Sequence, residues 1–141
     1  MDPNRLTDIP IFSHLPEEEA RRLATFATET SVADGQILMK QGDYSTELIA
    51  IEEGTADVIR DGEKIASLKD GDLIGEMGLL ERRPRNADVI ATSPMRLLKL
   101  THWEIRRMSD ETVERIQKMV EERRRNGVGD PADPRSDGES G

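Results

Sequence analysis

The sequence predicts a mainly β domain, in which eight short antiparallel strands are flanked by helices on both sides. Between Thr30 and Leu100, short β-prone runs alternate with Gly-Asp or Asp-Gly turns at roughly ten-residue spacing. Before and after this region, apolar residues recur at helical spacing instead. Since eight short antiparallel strands close most economically as a jelly roll, we expect an eight-stranded antiparallel jelly-roll β-barrel.

The composition fits one domain and excludes several kinds of site. The chain has 141 residues, of which 35% are apolar and 35% are charged. Its net charge of −9 disfavours a nucleic-acid-binding surface, because phosphate contacts need a basic face. We interpret the basic run Arg123–Arg125 as the solvated end of a helix. The absence of cysteine excludes disulfides and thiolate chemistry.

The sequence shows no targeting segment or membrane span. Residues Met1–Pro10 contain no apolar core of a signal peptide, and no stretch approaches the roughly 18 apolar residues of a membrane helix. We therefore expect a soluble, cytoplasmic protein that contacts no membrane.

A helical lead is predicted over residues 7–28. Leu15-Pro16 precedes the acidic run Glu17–Glu19, which is typical of a helix start because carboxylates complement the N-terminal dipole. The apolar residues that follow at helical spacing are Ala20, Leu23, Ala24 and Ala27.

The barrel is expected over about residues 30–100, and Asp61-Gly62 is a strong signal for a hairpin turn within it. The predicted strands are Thr30–Val32, Ile37–Lys40, Glu47–Glu52, Thr55–Arg60, Glu63–Leu68, Leu73–Ile74, Ala87–Ala91 and Met95–Leu100.

Helical spacing returns over residues 101–126. Thr101 with Glu104 forms a capping-box pattern, and Ser109-Asp110 provides a break and a second cap before a helix over Glu111–Arg125. The domain is expected to end near residue 126, and residues 127–141, which have almost no apolar side chains, are expected to be disordered.

The stretch Leu73–Ala91 holds one acid and one base whose spacing suggests more than solubility, Glu76 and Arg85. These two side chains alone also fit a surface salt bridge between strand ends, which would contribute about 0–1 kcal/mol. Two further segments decide between the interpretations: Gly75-Glu76-Met77-Gly78-Leu79-Leu80 and Pro84-Arg85-Asn86-Ala87-Asp88-Val89.

Together these segments resemble the phosphate-binding cassette of cyclic nucleotide-binding domains, and the resemblance extends over roughly residues 10–125. It implies a cyclic phosphate bound by Arg85, Asn86, Ala87 and Gly78, and a ribose bound by Glu76 and Gly75. The chemistry is consistent, because a guanidinium offers two parallel donors to phosphate oxygens, and glycines allow close approach of the backbone. A short helix expected at Met77–Leu80 would direct backbone N–H groups toward the same anion.

The base pocket is less closely specified. The resemblance points to Val58 and Ile65 on the strands and to Met77 in the cassette. A residue of the last helix is expected to cap the base, and the candidates are Ile116, Met119, Val120 and Arg123. The apolar residues among these also fit ordinary core packing. Asn86 occupies a position at which the family usually has Ala, Ser or Thr. The identity of the base is therefore open between cAMP and cGMP, with cAMP favoured.

The resemblance implies a sensing module with no catalytic activity. Ligand binding would draw the cassette inward, and the C-terminal helices would close as a lid that a protein partner reads, or that forms a homodimer through the face Thr112–Val120. One alternative is a barrel-fold interaction protein that binds no ligand. The other is a cupin-like enzyme, which is disfavoured because His14 and His102 are isolated and no metal-binding histidine cluster is present.

Overall fold

The computed structural model describes residues 2–43, 47–74, 87–101, 104–105 and 107–125, with backbone alone at residues 11, 119–121 and 123–125. Eight antiparallel strands lie in this part of the chain. They are β1 (Thr28–Val32), β2 (Ile37–Met39), β3 (Glu47–Glu53), β4 (Ala56–Arg60), β5 (Glu63–Leu68), β6 (Leu73–Ile74), β7 (Asp88–Ala91) and β8 (Met95–Thr101).

The strands form two four-stranded sheets. The first sheet has the order β1-β8-β3-β6 and the second has the order β2-β7-β4-β5. The mainly β, antiparallel prediction is confirmed, but a closed barrel is not. Within the described residues no strand pairing joins the first sheet to the second, so the jelly roll is a double-sheet sandwich.

The two ends of the sandwich differ in their connections. At one end, which we name the tight end, four short turns cross between the sheets: residues 33–36, 54–55, 69–72 and 92–94. At the opposite end, which we name the open end, the sheets are joined by the longer connections 40–46 and 75–87.

Hydrogen bonds link the turns of the tight end to one another. Gly54 N donates to Asp70 Oδ1 at 2.7 Å, and Thr55 N donates to Ser93 Oγ at 3.0 Å. Gly54 itself is confined there. Its φ is +112°, and a Cβ on it would lie 2.7 Å from the Pro94 carbonyl oxygen.

Helices cover one face of the first sheet. They are α1 (Pro3–Thr7), a 3₁₀ helix (Pro10–Phe12), α2 (Glu17–Phe26) and α3 (Asp110–Arg125). The predicted helical lead over residues 7–28 is thus divided into short pieces, and α1 begins earlier than expected. The Asp2 side chain caps α1 by accepting from Asn4 N at 2.8 Å, and Pro3 occupies its first turn. None of the described helices has the length and apolar composition to span a bilayer.

Because helices cover one face of the first sheet and the second sheet covers the other, two separate cores form. The helix-side core joins the helices to Leu48, Ala50, Leu98 and Leu100 of the first sheet. The inter-sheet core lies between the sheets and includes Ile49, Ile51, Val58, Val89 and Leu97. Successive residues of β3 alternate between the two cores, which explains why Leu48–Ile51 reads as an unbroken apolar run.

Candidate functional site

Most of the predicted ligand-binding residues lie outside the described part of the chain. These are Gly75, Glu76, Met77, Gly78, Arg85 and Asn86. Their roles stay predictions, and the structure bears on them through the strands that precede and follow them. β6 ends at Ile74, and Ala87 and Asp88 mark the return of the chain to β7.

These two strands place the connection 75–87 at the open end. β6 belongs to the first sheet, where Ile74 pairs with Ile49, whereas β7 lies in the second sheet between β2 and β4. The chain therefore passes from the first sheet to the second between Ile74 and Ala87. Long connections held by a rigid sandwich are where binding residues concentrate.

The described residues at the start of β7 belong to the apolar inter-sheet core. Ala87, Val89 and Val58 are each fully buried in the inter-sheet core, and Val58 pairs directly with Val89 across the strands. Ala87 is the one predicted phosphate-binding residue that the structure describes, and it lies in the same core as the predicted base-pocket residue Val58.

Ile65 is placed differently from Val58. Its side chain is 41% exposed, because the register between β4 and β5 shifts at this point. Val58 pairs with Ala66 and Ile59 pairs with Lys64, so Ile65 is the extra residue of a bulge. Ala66, which the sequence did not single out, packs against the inter-sheet core instead.

The predicted lid residue Ile116 lies on the other side of the first sheet. It is fully buried in the helix-side core, with Phe12 and Leu23. The structure therefore does not bring Ile116 together with Val58. The side chains of Met119, Val120 and Arg123 are outside the described set, and which residue closes over the base stays a prediction.

A polar cluster at the open end was not predicted from the sequence. Gln41 N donates to Asp88 Oδ1 at 2.7 Å, and the Gln41 side-chain amide donates to Asp61 Oδ1 at 3.0 Å. Asp61 N in turn donates to Gln41 Oε1 at 3.3 Å. These bonds join the connection after β2, the turn between β4 and β5, and the first residue of β7. Asp61 adopts a φ of 52°, which a tight Asp-Gly turn requires.

Arg5 is a second charged centre, far along the chain from the predicted site. It contacts both Glu29 and Glu52, with a distance of 2.6 Å from its Nη2 to Glu52 Oε1. The hydrogen bond to Glu52 raises the pKa of the guanidinium. Arg5 lines a cleft of about 400 Å³ together with Asp70 and Gly71. Since two carboxylates already engage its charge, this cleft is poorly suited to an anionic ligand.

The helices are joined by a polar contact between α2 and the start of α3. Ser109 caps α3 by accepting from Thr112 N at 3.2 Å, and its hydroxyl also donates to Glu19 Oε1. Hydrogen bonds from Ser109 and Thr112 hold the pKa of Glu19 below its ordinary value. The predicted capping box at Thr101, eight residues earlier, is present in part, with Glu104 N donating to Thr101 Oγ1 at 3.2 Å.

Throughout the described ranges, no group of three His, Asp or Glu side chains is arranged to hold a metal ion.

Comparison with known proteins gives a consistent family. A family model described as "Cyclic nucleotide-binding domain" matches residues 29–112. The cAMP-dependent protein kinase regulatory subunit of Hypocrea atroviridis is 33% identical over 100 residues, which cover 71% of this chain and 22% of that protein. A type II regulatory subunit from Drosophila melanogaster is 35% identical over 91 residues, covering 62% of this chain and 24% of that protein. The chain thus spans about a quarter of the length of these relatives.

Solved structures share the fold. The N-terminal domain of a transcriptional regulator from Streptomyces coelicolor A3(2) superposes with a TM-score of 0.72 at 28% identity, covering 87% of this chain and 92% of that one. The regulatory subunit of a cAMP-independent protein kinase A from Trypanosoma brucei gives a TM-score of 0.75 at 23% identity, covering 86% and 44%. The regulatory domain of Toxoplasma gondii PKA, crystallised with cAMP, gives 0.71 at 22% identity, covering 85% and 48%.

Proposed function

The chain belongs to the cyclic nucleotide-binding domain family. We propose that it is a regulatory module that senses cAMP and performs no catalysis. The observation that carries the proposal is the position of β6 and β7, which precede and follow the cassette-like residues. These two strands lie in different sheets, on opposite sides of the apolar inter-sheet core.

We assign the cyclic phosphate to Arg85 and to the backbone around Gly78, Asn86 and Ala87. A buried monoanion is tolerated only beside a fixed cation and several N–H donors, because the loss of its hydration is costly. The position of Ala87 is consistent with this assignment, since it is fully buried in the same core as the predicted base-pocket residue Val58. Glu76, with Gly75, is assigned to the ribose hydroxyl as a hydrogen-bond acceptor.

The base would lie against the apolar surface that includes Val58. The exposure of Ile65 favours Ala66 over Ile65 as a strand residue beside it. We favour cAMP over cGMP because the curated relatives are cAMP-dependent protein kinase regulatory subunits. The fold alone does not decide this, since similar folds are described both with cAMP and as cAMP-independent.

The output is proposed to reach a protein partner through the C-terminal helices, in the cytoplasm. A homodimer through the face Thr112–Val120 is disfavoured, because Thr112 and Ile116 are already buried within their own chain. A kinase catalytic subunit is one partner class that the relatives suggest.

The first test is calorimetric titration of the purified chain with cAMP and with cGMP. We expect Arg85→Ala to weaken cAMP binding at least tenfold while the protein remains folded, because the phosphate loses a paired donor set. Glu76→Gln should cost less, since an amide oxygen still accepts a hydrogen bond.

Arg83→Ala is the matched control, because it removes the same charge two residues away. Equal losses from Arg83→Ala and Arg85→Ala would point to general electrostatic attraction. The proposed function is contradicted if neither nucleotide binds the unmodified chain at high micromolar concentration, which is the result expected of an interaction protein without a ligand.

A further inference from the structure

The hydrogen bond between Gln41 and Asp88 joins the connection after β2 to the start of β7. Asp88 is the first residue of β7, and its carboxylate accepts from Gln41 N at 2.7 Å. β2 and β7 are paired nearby, but their register shifts between Ile37 and Met39. The side chain of Asp88 therefore continues the link between these elements where the regular backbone ladder has become irregular.

The side chain of Asp88 faces away from the inter-sheet core. Ala87, Val89 and Ala91 are buried, whereas Asp88 and Ile90 between them are only half-buried. This period of two places Asp88 on the outer face of the second sheet while its neighbour Ala87 faces inward. The backbone at Asp88 is thus held on one side by the pairing with Ile59 of β4 and on the other by the hydrogen bond from Gln41 N, directly after Ala87.

We propose that Asp88 is a positioning residue for cyclic nucleotide binding, acting through its hydrogen bond from Gln41 N to hold the backbone of Ala87 in place. This inference rests on the proposed function, in which Ala87 is a phosphate-binding residue. Asp88 touches no ligand in this arrangement. Its effect is to hold the backbone N–H of Ala87 in place before the ligand binds, which reduces the ordering of the backbone that binding would otherwise require.

The sign of the effect separates positioning from simple electrostatics. Asp88 carries a negative charge one residue away from a site proposed to bind an anion. If that charge were the dominant influence, both Asp88→Ala and Asp88→Asn would tighten binding, because each removes the repulsion. A positioning role predicts weaker binding for Asp88→Ala and unchanged binding for Asp88→Asn, since only asparagine keeps an oxygen that accepts from Gln41 N.

The experiment measures cAMP affinity by calorimetry for the unmodified chain and both variants, at a temperature where all are folded. We expect Asp88→Ala to weaken binding about tenfold, the scale of one lost hydrogen bond to a charged group, and Asp88→Asn to bind like the unmodified chain. Asp57→Ala is the matched control. Asp57 also lies on the second sheet and pairs with Lys64 at 3.3 Å, and its loss should leave affinity within about twofold.

Amide hydrogen exchange over residues 87–91, measured without ligand, provides a second readout. Asp88→Ala should exchange faster there, while Asp88→Asn should match the unmodified chain. Unchanged or tighter cAMP binding by Asp88→Ala would overturn the positioning role and leave the proposed function intact. Absence of cAMP and cGMP binding by the unmodified chain would instead contradict the proposed function itself, and the positioning role would fall with it.

Discussion

The helix-side core and the inter-sheet core share the first sheet but differ in how they are filled. Among the described residues, most of the large side chains that are almost completely buried belong to the helix-side core, including Phe12, Leu23 and Ile116, whereas Ile51 and Ile74 belong to the inter-sheet core. Among the described residues each core has three buried alanines, but the inter-sheet core has valine at Val32, Val58 and Val89, whereas the larger buried residues of the helix-side core are mostly leucine and isoleucine. We therefore expect the truncation of a large residue in the helix-side core to cost more stability than the truncation of a valine in the inter-sheet core. The proposed ligand site involves the inter-sheet core alone.

The strongest test of this comparison is Phe12→Ala. Phe12 is fully buried in the helix-side core, so its truncation should lower the free energy of unfolding by about 3–5 kcal/mol. Urea unfolding measures this change, and Ile37→Ala, at a side chain that is 49% exposed, should cost below about 0.5 kcal/mol. A similar loss of stability in both variants would show that the burial of Phe12 in the helix-side core contributes little to stability.

Gly54→Ala tests the tight end that joins the two sheets. The new Cβ would lie 2.7 Å from both Pro94 O and Met95 Cγ, at a φ of +112° that only glycine adopts easily. We expect a loss of about 2–4 kcal/mol from overpacking and backbone strain together. The control is Gly62→Ala, which has φ +84° but no neighbour within 4 Å of its Cβ, and which should cost about 1 kcal/mol.

Val58→Ala and Val113→Ala remove the same two methyl groups, one from each core. Each loss should lower stability by about 1–2 kcal/mol, somewhat less for the partly buried Val113. Only Val58→Ala should also weaken cAMP binding, by a few-fold, because Val58 lies in the inter-sheet core. Calorimetric titration of both variants checks this, and equal affinities would remove the functional distinction between the cores.

The smallest expected effect concerns Glu19 on the helix side. Hydrogen bonds from Ser109 and Thr112 lower its pKa from the ordinary value of 4.5. The stability that these hydrogen bonds give to the folded protein is therefore present at neutral pH. It is lost as the pH falls below 4.5 through the lowered pKa of Glu19 in the folded protein. Glu19→Gln should lessen the fall in stability between roughly pH 5 and pH 3, by below about 1 kcal/mol.

Denaturation curves across this pH range measure the effect. Glu17→Gln serves as the control, because Glu17 is 80% exposed and its surface ion pair with Arg21 should contribute little to stability. A profile for Glu19→Gln identical to that of the unmodified chain would show that the contact between α2 and α3 is not held by this carboxylate.

The strands were predictable because turn chemistry is local. Asp-Gly and Gly-Asp pairs mark positions where positive φ is needed, as at Gly35, Gly62 and Gly71. The arrangement of the strands into two separate sheets was not predictable in this way, because it depends on pairings between distant residues. The exposure of Ile65 was missed for a related reason, since a bulge leaves no trace in the apolar pattern of β5.

The candidate site was predicted from one stretch of sequence, and its surroundings were not. The spacing of Glu76 and Arg85 is a local pattern, whereas Gln41 and Asp88 are 47 residues apart and meet only through the fold. Similarly, helical spacing identified Ile116 as an apolar face residue. It did not show that this face packs on the far side of the first sheet from Val58.

The unequal ends of the sandwich also have a mechanical consequence. At the tight end, the hydrogen bond from Thr55 N to Ser93 Oγ joins two of the turns that connect the sheets. Such bonds hold the two sheets together at this end. At the open end, the cluster around Gln41 joins elements of the second sheet only to one another or to the connection leading out of β2. Elsewhere in the described part of the chain, the two sheets are held together by the packing of the inter-sheet core. We therefore expect a ligand bound at the open end to change the spacing of the sheets there more than at the tight end.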